Sequence, residues 1–235
     1  MTSGGFVTTI GYVLMGLAAA RHPAEPATDA QVRLLSLAQR PDGSWSTAYR
    51  PPSEASRFTS TAVSLRGVQL YGGDRTWRRS GADVVAAAAG WLERTPARNT
   101  EDHVFRLLGL TWSGAAQSVR ASARRELLAL QREDGGWSQL PTLQSDAYAT
   151  GSALVALHEA GLGADAEPYR RGVAFLLRTQ IVDGSWRVRT RSYPTQSYFD
   201  SGFPHGADQF ISAAATNWAT QALVIASPVG GPGAR

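Results

Sequence analysis

Apolar and polar positions along the chain define two kinds of helical segment that alternate. In "DAQVRLLSLAQR" the apolar Val32, Leu34, Leu35 and Ala38 share one broad face, and arginine and glutamine take the other. "PYRRGVAFLLRTQ" repeats this with Val173, Leu176 and Leu177. Such segments predict amphipathic helices with one wet side. A second kind is rich in small residues and apolar on more than one face: "FTSTAVSLRGVQLYG", "EDHVFRLLGLTW", "SDAYATGSALVALHEAG" and "QFISAAATNWATQALVIA". A helix that is apolar nearly all round belongs inside. Inner helices are therefore expected near residues 10–20, 57–71, 101–113, 145–160 and 208–226, with four outer helices between them. Asp29, Ser56 and Ser145 are the expected N-caps. Strand signals are scarce, so the expected fold is all-α, built from antiparallel helix pairs.

The outer segments end alike. "LLSLAQRPDGSW", "LLALQREDGGW" and "FLLRTQIVDGSW" each carry a glutamine six residues before a tryptophan: Gln39 and Trp45, Gln131 and Trp137, Gln180 and Trp186. The second and third glutamines are 49 residues apart, and the first and second 92, nearly twice that. A degenerate copy, "GWLERTPARNTED", lies midway without the turn residues. A period of roughly 45–50 residues signals a repeat architecture. Glycine supplies the positive φ with which the outer helix hands the chain to an inner one. The tryptophan is expected to wedge between successive pairs, and the glutamine to bond a free helix end.

This Gln-to-Trp spacing between helices resembles the QW repeat of squalene–hopene cyclases and other prenyltransferase/squalene-oxidase-repeat proteins. The resemblance covers most of the chain and implies an α/α toroid, with inner helices around a central apolar cavity. The segment "YFDSGFPHGADQFISAAATNWATQAL" is similar to the carboxy-terminal part of small bacterial cyclase-like repeat proteins. A closed toroid of six pairs needs twelve helices, so five inner and four outer ones imply an open ring, or one completed by a partner or a second copy. Exposed inner surface would suit a protein partner or a peripheral membrane contact. The Asp-Xaa-Asp-Asp acid motif of squalene–hopene cyclases is absent, as is the Asp-Asp-Xaa-Xaa-Asp metal motif of ionising terpene synthases.

Composition narrows the chemistry further. The 235 residues contain no cysteine and no lysine; all 23 basic residues are arginine. Thiolate nucleophiles, cysteine-ligated zinc, Schiff-base lysines and a P-loop lysine are thereby excluded. The net charge of +4 comes from scattered arginines, so nucleic acid is not an expected partner. His22, His103, His158 and His205 are dispersed, and neither a metal nor a cofactor is expected. One domain over residues 1–227 is expected, with a disordered Pro/Gly-rich tail, 228–235. "GYVLMGLAAA" lacks a basic leader and reads as the first inner helix rather than an export signal. Location is left between soluble and peripheral membrane, with the cytoplasm preferred to export.

Protonating an alkene needs a carboxylic acid held protonated by burial, and aromatic faces to stabilise cations. The first acid candidate is Asp146, at the start of an inner helix beside Tyr148 and Thr150; a helix-capping role is the alternative. The second set is Asp200, His205 and Asp208, an acid with an orienting histidine, walled by Phe199, Phe203 and Phe210; a loop clamp is the alternative. Asp102 and His103 read first as caps. Tyr12, Phe58, Phe105, Trp112, Tyr148 and Trp218 are the candidate cavity aromatics, with Tyr193 and Tyr198 at its mouth; ordinary core is the alternative for each.

Three functional readings follow: an isoprenoid cyclase or isomerase started by a proton, a non-catalytic toroid scaffold binding a lipid or protein, and a glycan-active toroid using two carboxylates.

Overall fold

The computed structural model describes residues 5–73, 80–193 and 199–227. Among them are nine α-helices and no strand. They are α1 (Gly5–Ala19), α2 (Pro26–Ala38), α3 (Arg57–Tyr71), α4 (Gly81–Arg94), α5 (Thr100–Trp112), α6 (Gln117–Leu128), α7 (Ala147–Glu159), α8 (Glu167–Thr179) and α9 (Gln209–Ala226). The odd-numbered helices match the five expected inner segments, and the even-numbered ones the four outer segments. Eleven of the fifteen residues of α3 are buried, and eleven of the thirteen of α7, as their all-round apolar pattern demands. This all-α alternation is compatible with an α/α toroid. Tail residues 228–235 lie outside the described residues.

The chain divides into two compact units, residues 1–121 and 122–235. In the first, α1, α3 and α5 pack in succession; α2 lies against both α1 and α3, and α4 against both α3 and α5. In the second, α7 packs on α9, and α8 lies against both. Each of these outer helices thus covers the seam between the inner helices before and after it. The inner helices approach nearly backbone to backbone. A Cβ on Gly11 would sit 2.8 Å from the Val63 carbonyl, and one on Gly151 2.6 Å from the Ala219 nitrogen.

The three Gln–Trp turns are the same device built three times. Each indole is buried, and its Nε1–H donates to a carbonyl in the last turn of its own outer helix: Trp45 to Leu35, Trp137 to Leu127, Trp186 to Leu176. Each tryptophan backbone N–H donates to a threonine hydroxyl on an inner helix, Thr61, Thr150 or Thr216. Each glutamine Nε2 donates to the glycine carbonyl four residues on, at Gly43, Gly135 or Gly184. The first two glutamines also reach forward to the next outer helix, Gln39 to the Val84 carbonyl (2.8 Å) and Gln131 to the Pro168 carbonyl (2.8 Å). The turn glycines have φ of +95°, +86° and +83°, the region that favours glycine.

The degenerate copy makes the same handover with different atoms. Arg106 of α5 donates from Nε to the Leu92 carbonyl and from Nη2 to that of Glu93, filling free acceptors at the end of α4. Phe58 packs against Trp91 with tilted rings, centroids 4.8 Å apart.

Capping differs partly from expectation. Ser56 does cap α3, accepting from the Phe58 and Thr59 amides. Helix α7, however, is capped by Asp146 and not by Ser145, whose hydroxyl bonds Asp134. Helix α2 begins at Pro26, so Asp29 lies inside its first turn and Glu25 takes the cap position. Proline at the first helical position starts the helix earlier than the polar pattern suggests.

Gln131→Ala is expected to cost about 1–2 kcal/mol, because two carbonyls of adjoining elements lose their shared donor. Gln180→Ala is expected to cost only a few tenths, since its glutamine is exposed and joins one carbonyl of its own turn. Urea denaturation of the two variants checks the difference.

Candidate functional site

Inner-helix N-termini gather most of the carboxylates that sequence singles out. Asp146 caps α7 in the second unit. Its Oδ1 accepts from the Ala149 amide (2.9 Å) and its Oδ2 from the Gln139 Nε2 (3.0 Å). Gln139 is buried, and its Oε1 accepts in turn from Arg191 Nε at 2.8 Å. Burial pushes the Asp146 carboxyl above the ordinary aspartate range. The amides of Ala149 and Tyr148, the Gln139 side chain and the Arg191 charge oppose that rise without cancelling it. The helix terminus alone would lower this pKa; desolvation outweighs it.

Asp208 and His205 do not form the expected acid–orienter pair. Asp208 is buried before α9, and its Oδ2 accepts both Arg187 Nε (3.2 Å) and Nη2 (3.0 Å). Its Oδ1 takes the Thr190 amide at 2.9 Å. It anchors the loop after Trp186 to the start of α9. His205 Nε2 lies 2.8 Å from the Ser185 hydroxyl, which bonds Asp183. Asp200 is exposed and accepts the Gly202 amide of its own turn.

The His205 contact has two counterparts. The aspartate of each Gln–Trp turn is approached by a side chain from at or just before the start of an inner helix. Asp42 is met by Arg57, which also bonds Ser44; Asp134 is met by Ser145; Asp183 is met, through Ser185, by His205. His205 is thus the third member of a structural series. At Asp42, burial pulls the pKa upward, but the Ser44 hydroxyl and amide and the Arg57 guanidinium outweigh it and hold it at about 2.

In the first unit a second acidic cluster joins Asp102, which the sequence singled out, to Glu101, which it did not. Asp102 is buried, and its carboxylate accepts from Ser56 Oγ (2.7 Å) and the Arg98 amide (3.1 Å). Neighbouring Glu101 is 5% exposed and accepts from Thr59 Oγ1 at 2.6 Å. The pair ties the start of α5 to the start of α3. Burial, and then the Glu101 charge, pushes the Tyr12 hydroxyl well above its ordinary range. The available signal was positional: an inner helix buried on every side must bury its first-turn acids too.

The aromatic candidates divide between the units. Phe58 and Phe105 are core of the first unit, whereas Tyr12 keeps part of its ring open and Trp112 is half-buried under Arg66. In the second unit Tyr148 is core, Trp218 half-buried and Phe210 exposed. Phe203 packs edge-on to His205 with centroids 6.1 Å apart, and Phe199 and Tyr193 are exposed. Tyr198 lies outside the described residues. No group of three or more metal-binding side chains gathers among the described residues, and none of their helices is long and apolar enough to cross a membrane.

No protein-family model matches the chain. The chain is similar to the drimenyl diphosphate synthase of Streptomyces showdoensis, with 31% identity over 198 residues, 78% of this chain and 36% of that protein. It is also similar to the drimenyl diphosphate synthase of Streptantibioticus cattleyicolor, with 31% identity over 171 residues, 67% of this chain and 31% of that protein. The chain spans about a third of the length of these curated relatives. Over most of its own length the chain is similar to part of each of these synthases.

Proposed function

We propose that this chain acts on a linear isoprenoid diphosphate, with Asp146 as the acid that starts cyclisation. Similarity to drimenyl diphosphate synthases carries the reading. Their named product keeps its diphosphate, so ring formation there starts without diphosphate loss, and a proton is the natural initiator. In the proposed step the Asp146 carboxyl O–H delivers its proton to the terminal alkene. A C–H bond forms, and the cation left on the more substituted carbon is attacked by the next alkene. Loss of a proton from the last cation ends the sequence and restores the balance. Asp146 suits this role because burial raises its pKa. Gln139 and Arg191 position it: the Arg191 N–H holds Gln139, whose amide holds Oδ2, leaving Oδ1 facing its own helix turn. The QW-repeat likeness and an apolar hollow in the second unit lined by such residues as Tyr148 and Trp218 belong to the same proposal, with their ring faces stabilising the cation.

A scaffold that binds a lipid without converting it is the second reading, favoured by the absence of an Asp-Xaa-Asp-Asp sequence. Incubation with farnesyl diphosphate, geranylgeranyl diphosphate and squalene, followed by mass spectrometry of dephosphorylated products, separates the two. Cyclised alcohols are the expected result. Saturable binding without conversion leaves the scaffold, and neither binding nor conversion ends the isoprenoid assignment.

A further inference from the structure

We infer that Arg189, with Arg191 beside it, binds the diphosphate of the substrate. The inference rests on the isoprenoid diphosphate reading above and names the residues that would recognise the charged end. Its basis is an extended segment, residues 186–191, laid along α9. The amides of Trp186, Val188 and Thr190 donate in turn to the side chains of Thr216 (3.2 Å), Ser212 (3.0 Å) and Asp208 (2.9 Å). The donors are two residues apart and the acceptors four. Four residues of helix rise about 6 Å, and two residues of extended chain about 6.6 Å, so the two ladders stay in step. The segment is thereby pinned at every second residue.

Extended backbone sends alternate side chains to opposite faces. Trp186 and Val188 are buried, whereas Arg187 and Arg189 are exposed. Arg187, Arg189 and Arg191 therefore follow one another along one face, at intervals of about 7 Å. Arg187 is answered by Asp208, which accepts two of its N–H groups. Arg191 Nε donates to the neutral Gln139 amide. Arg189 has neither a hydrogen bond nor an ion pair among the described residues. Other aspartates of the stretch are engaged elsewhere: Asp183 takes the Ser185 hydroxyl and Asp200 the Gly202 amide. Burial leaves Asp146 less charged than an ordinary aspartate.

The row also stands at the right remove from the acid. Arg191 Nε is 2.8 Å from Gln139 Oε1, and Gln139 Nε2 is 3.0 Å from Asp146 Oδ2, so Arg191 lies within about 8 Å of the carboxyl. Arg189 is about 7 Å from Arg191 along the segment. A linear isoprenoid diphosphate carries its terminal alkene and its anion at opposite ends. The proton donor for one and the cation for the other must be held apart by rigid backbone, and the pinned segment does this. A guanidinium forks two phosphate oxygens with parallel N–H bonds, and two guanidiniums can close on one diphosphate. In a chain without lysine, arginine is the side chain available for the task.

Isothermal titration calorimetry of the full chain with inorganic pyrophosphate, at fixed ionic strength, tests this without requiring turnover. We expect saturable one-to-one binding that Arg189→Gln weakens by about 10- to 100-fold, the worth of a charged donor. Arg189→Lys should recover part of it. Arg170→Gln removes the same charge from an exposed position on α8 and should leave binding unchanged. Farnesyl diphosphate should displace pyrophosphate, and farnesol should bind equally with either residue at 189. Where conversion is measured, Arg189→Gln should raise KM for farnesyl diphosphate with kcat nearly unchanged. Because Arg189 is exposed, its variants should fold, which circular dichroism checks. Pyrophosphate binding that Arg189→Gln weakens supports the inference even if no isoprenoid is converted, a result that counts against the cyclase reading alone. No pyrophosphate binding, or equal weakening by Arg170→Gln, would overturn the inference. So would pyrophosphate that farnesyl diphosphate does not displace, or conversion at an unchanged KM in Arg189→Gln, and the last would leave the role of Asp146 standing.

Discussion

Trp137→Ala is expected to destabilise the protein by about 3–5 kcal/mol, the range for deleting a large buried aromatic. The indole is wholly inaccessible to solvent, and three losses coincide there. The ring volume goes. The Leu127 carbonyl at the end of α6 loses its Nε1–H donor. The strut also goes that aligns the 137 amide with the Thr150 hydroxyl of α7. A chain of this size shifts its Tm by roughly 2–4 °C per kcal/mol, so a drop of about 6–20 °C should be seen by calorimetry. Trp137→Phe separates volume from hydrogen bond and should recover most of the loss, leaving about 1 kcal/mol for the lost indole bond, since the Leu127 carbonyl keeps the Leu130 amide. A drop below about 1 kcal/mol for Trp137→Ala would mean that the turn is not a keystone of its unit.

Asp146→Asn is expected to act in the opposite sense, removing activity while sparing the fold. Asparagine caps helices as well as aspartate, so the bond to the Ala149 amide survives. The buried charge does not. An aspartate whose folded pKa is raised keeps its proton in the fold where the unfolded chain has lost it. Its contribution to stability is therefore greatest on the acid side, and declines as pH rises from about 4 through the folded value. The Asn variant should lack this decline; its Nδ2 opposes the Gln139 Nε2 donor, so its Tm should lie below the parent's at acid pH and approach it at pH 7. If Asp146 donates the initiating proton, isoprenoid conversion should fall by about 10²–10⁴ in the variant, the usual worth of a positioned acid. In the parent it should fade as pH rises through the same raised pKa. Product formed at the parental rate by Asp146→Asn would remove the acid assignment. Gln139→Ala should move the alkaline limb of the pH–rate profile upward, because a donor favouring the carboxylate is lost.

The alternation of helices was readable because burial on one side and burial all round leave different apolar patterns, and α3 and α7 are extreme cases of the second. The Gln–Trp turns were readable because all their defining bonds except two kinds are local. The exceptions are the ones missed. Nothing in the sequence around Trp45 announces that its amide meets Thr61, nor that Gln39 spans 45 residues to Val84. Arg106 substitutes for a missing tryptophan through its reach, and no residue-type rule predicts that. Asp200, His205 and Asp208 were read as one set, an acid with an orienting histidine. A left-handed residue at His205 separates its direction from that of Asp208, and each of the two finds an older partner upstream, Ser185 and Arg187 respectively. Asp146 was weighed between cap and acid, and it is a cap whose burial also suits it to an acid's role.

The forward reach of the glutamines has a consequence for biosynthesis. Gln39 grips Val84, and Gln131 grips Pro168; neither bond looks back along the chain. A nascent polypeptide emerging from the ribosome can therefore latch each hairpin as soon as the following one clears the exit tunnel, without waiting for its own carboxyl end. Each closure spans only about forty residues, so its entropic cost is small and its contact order low.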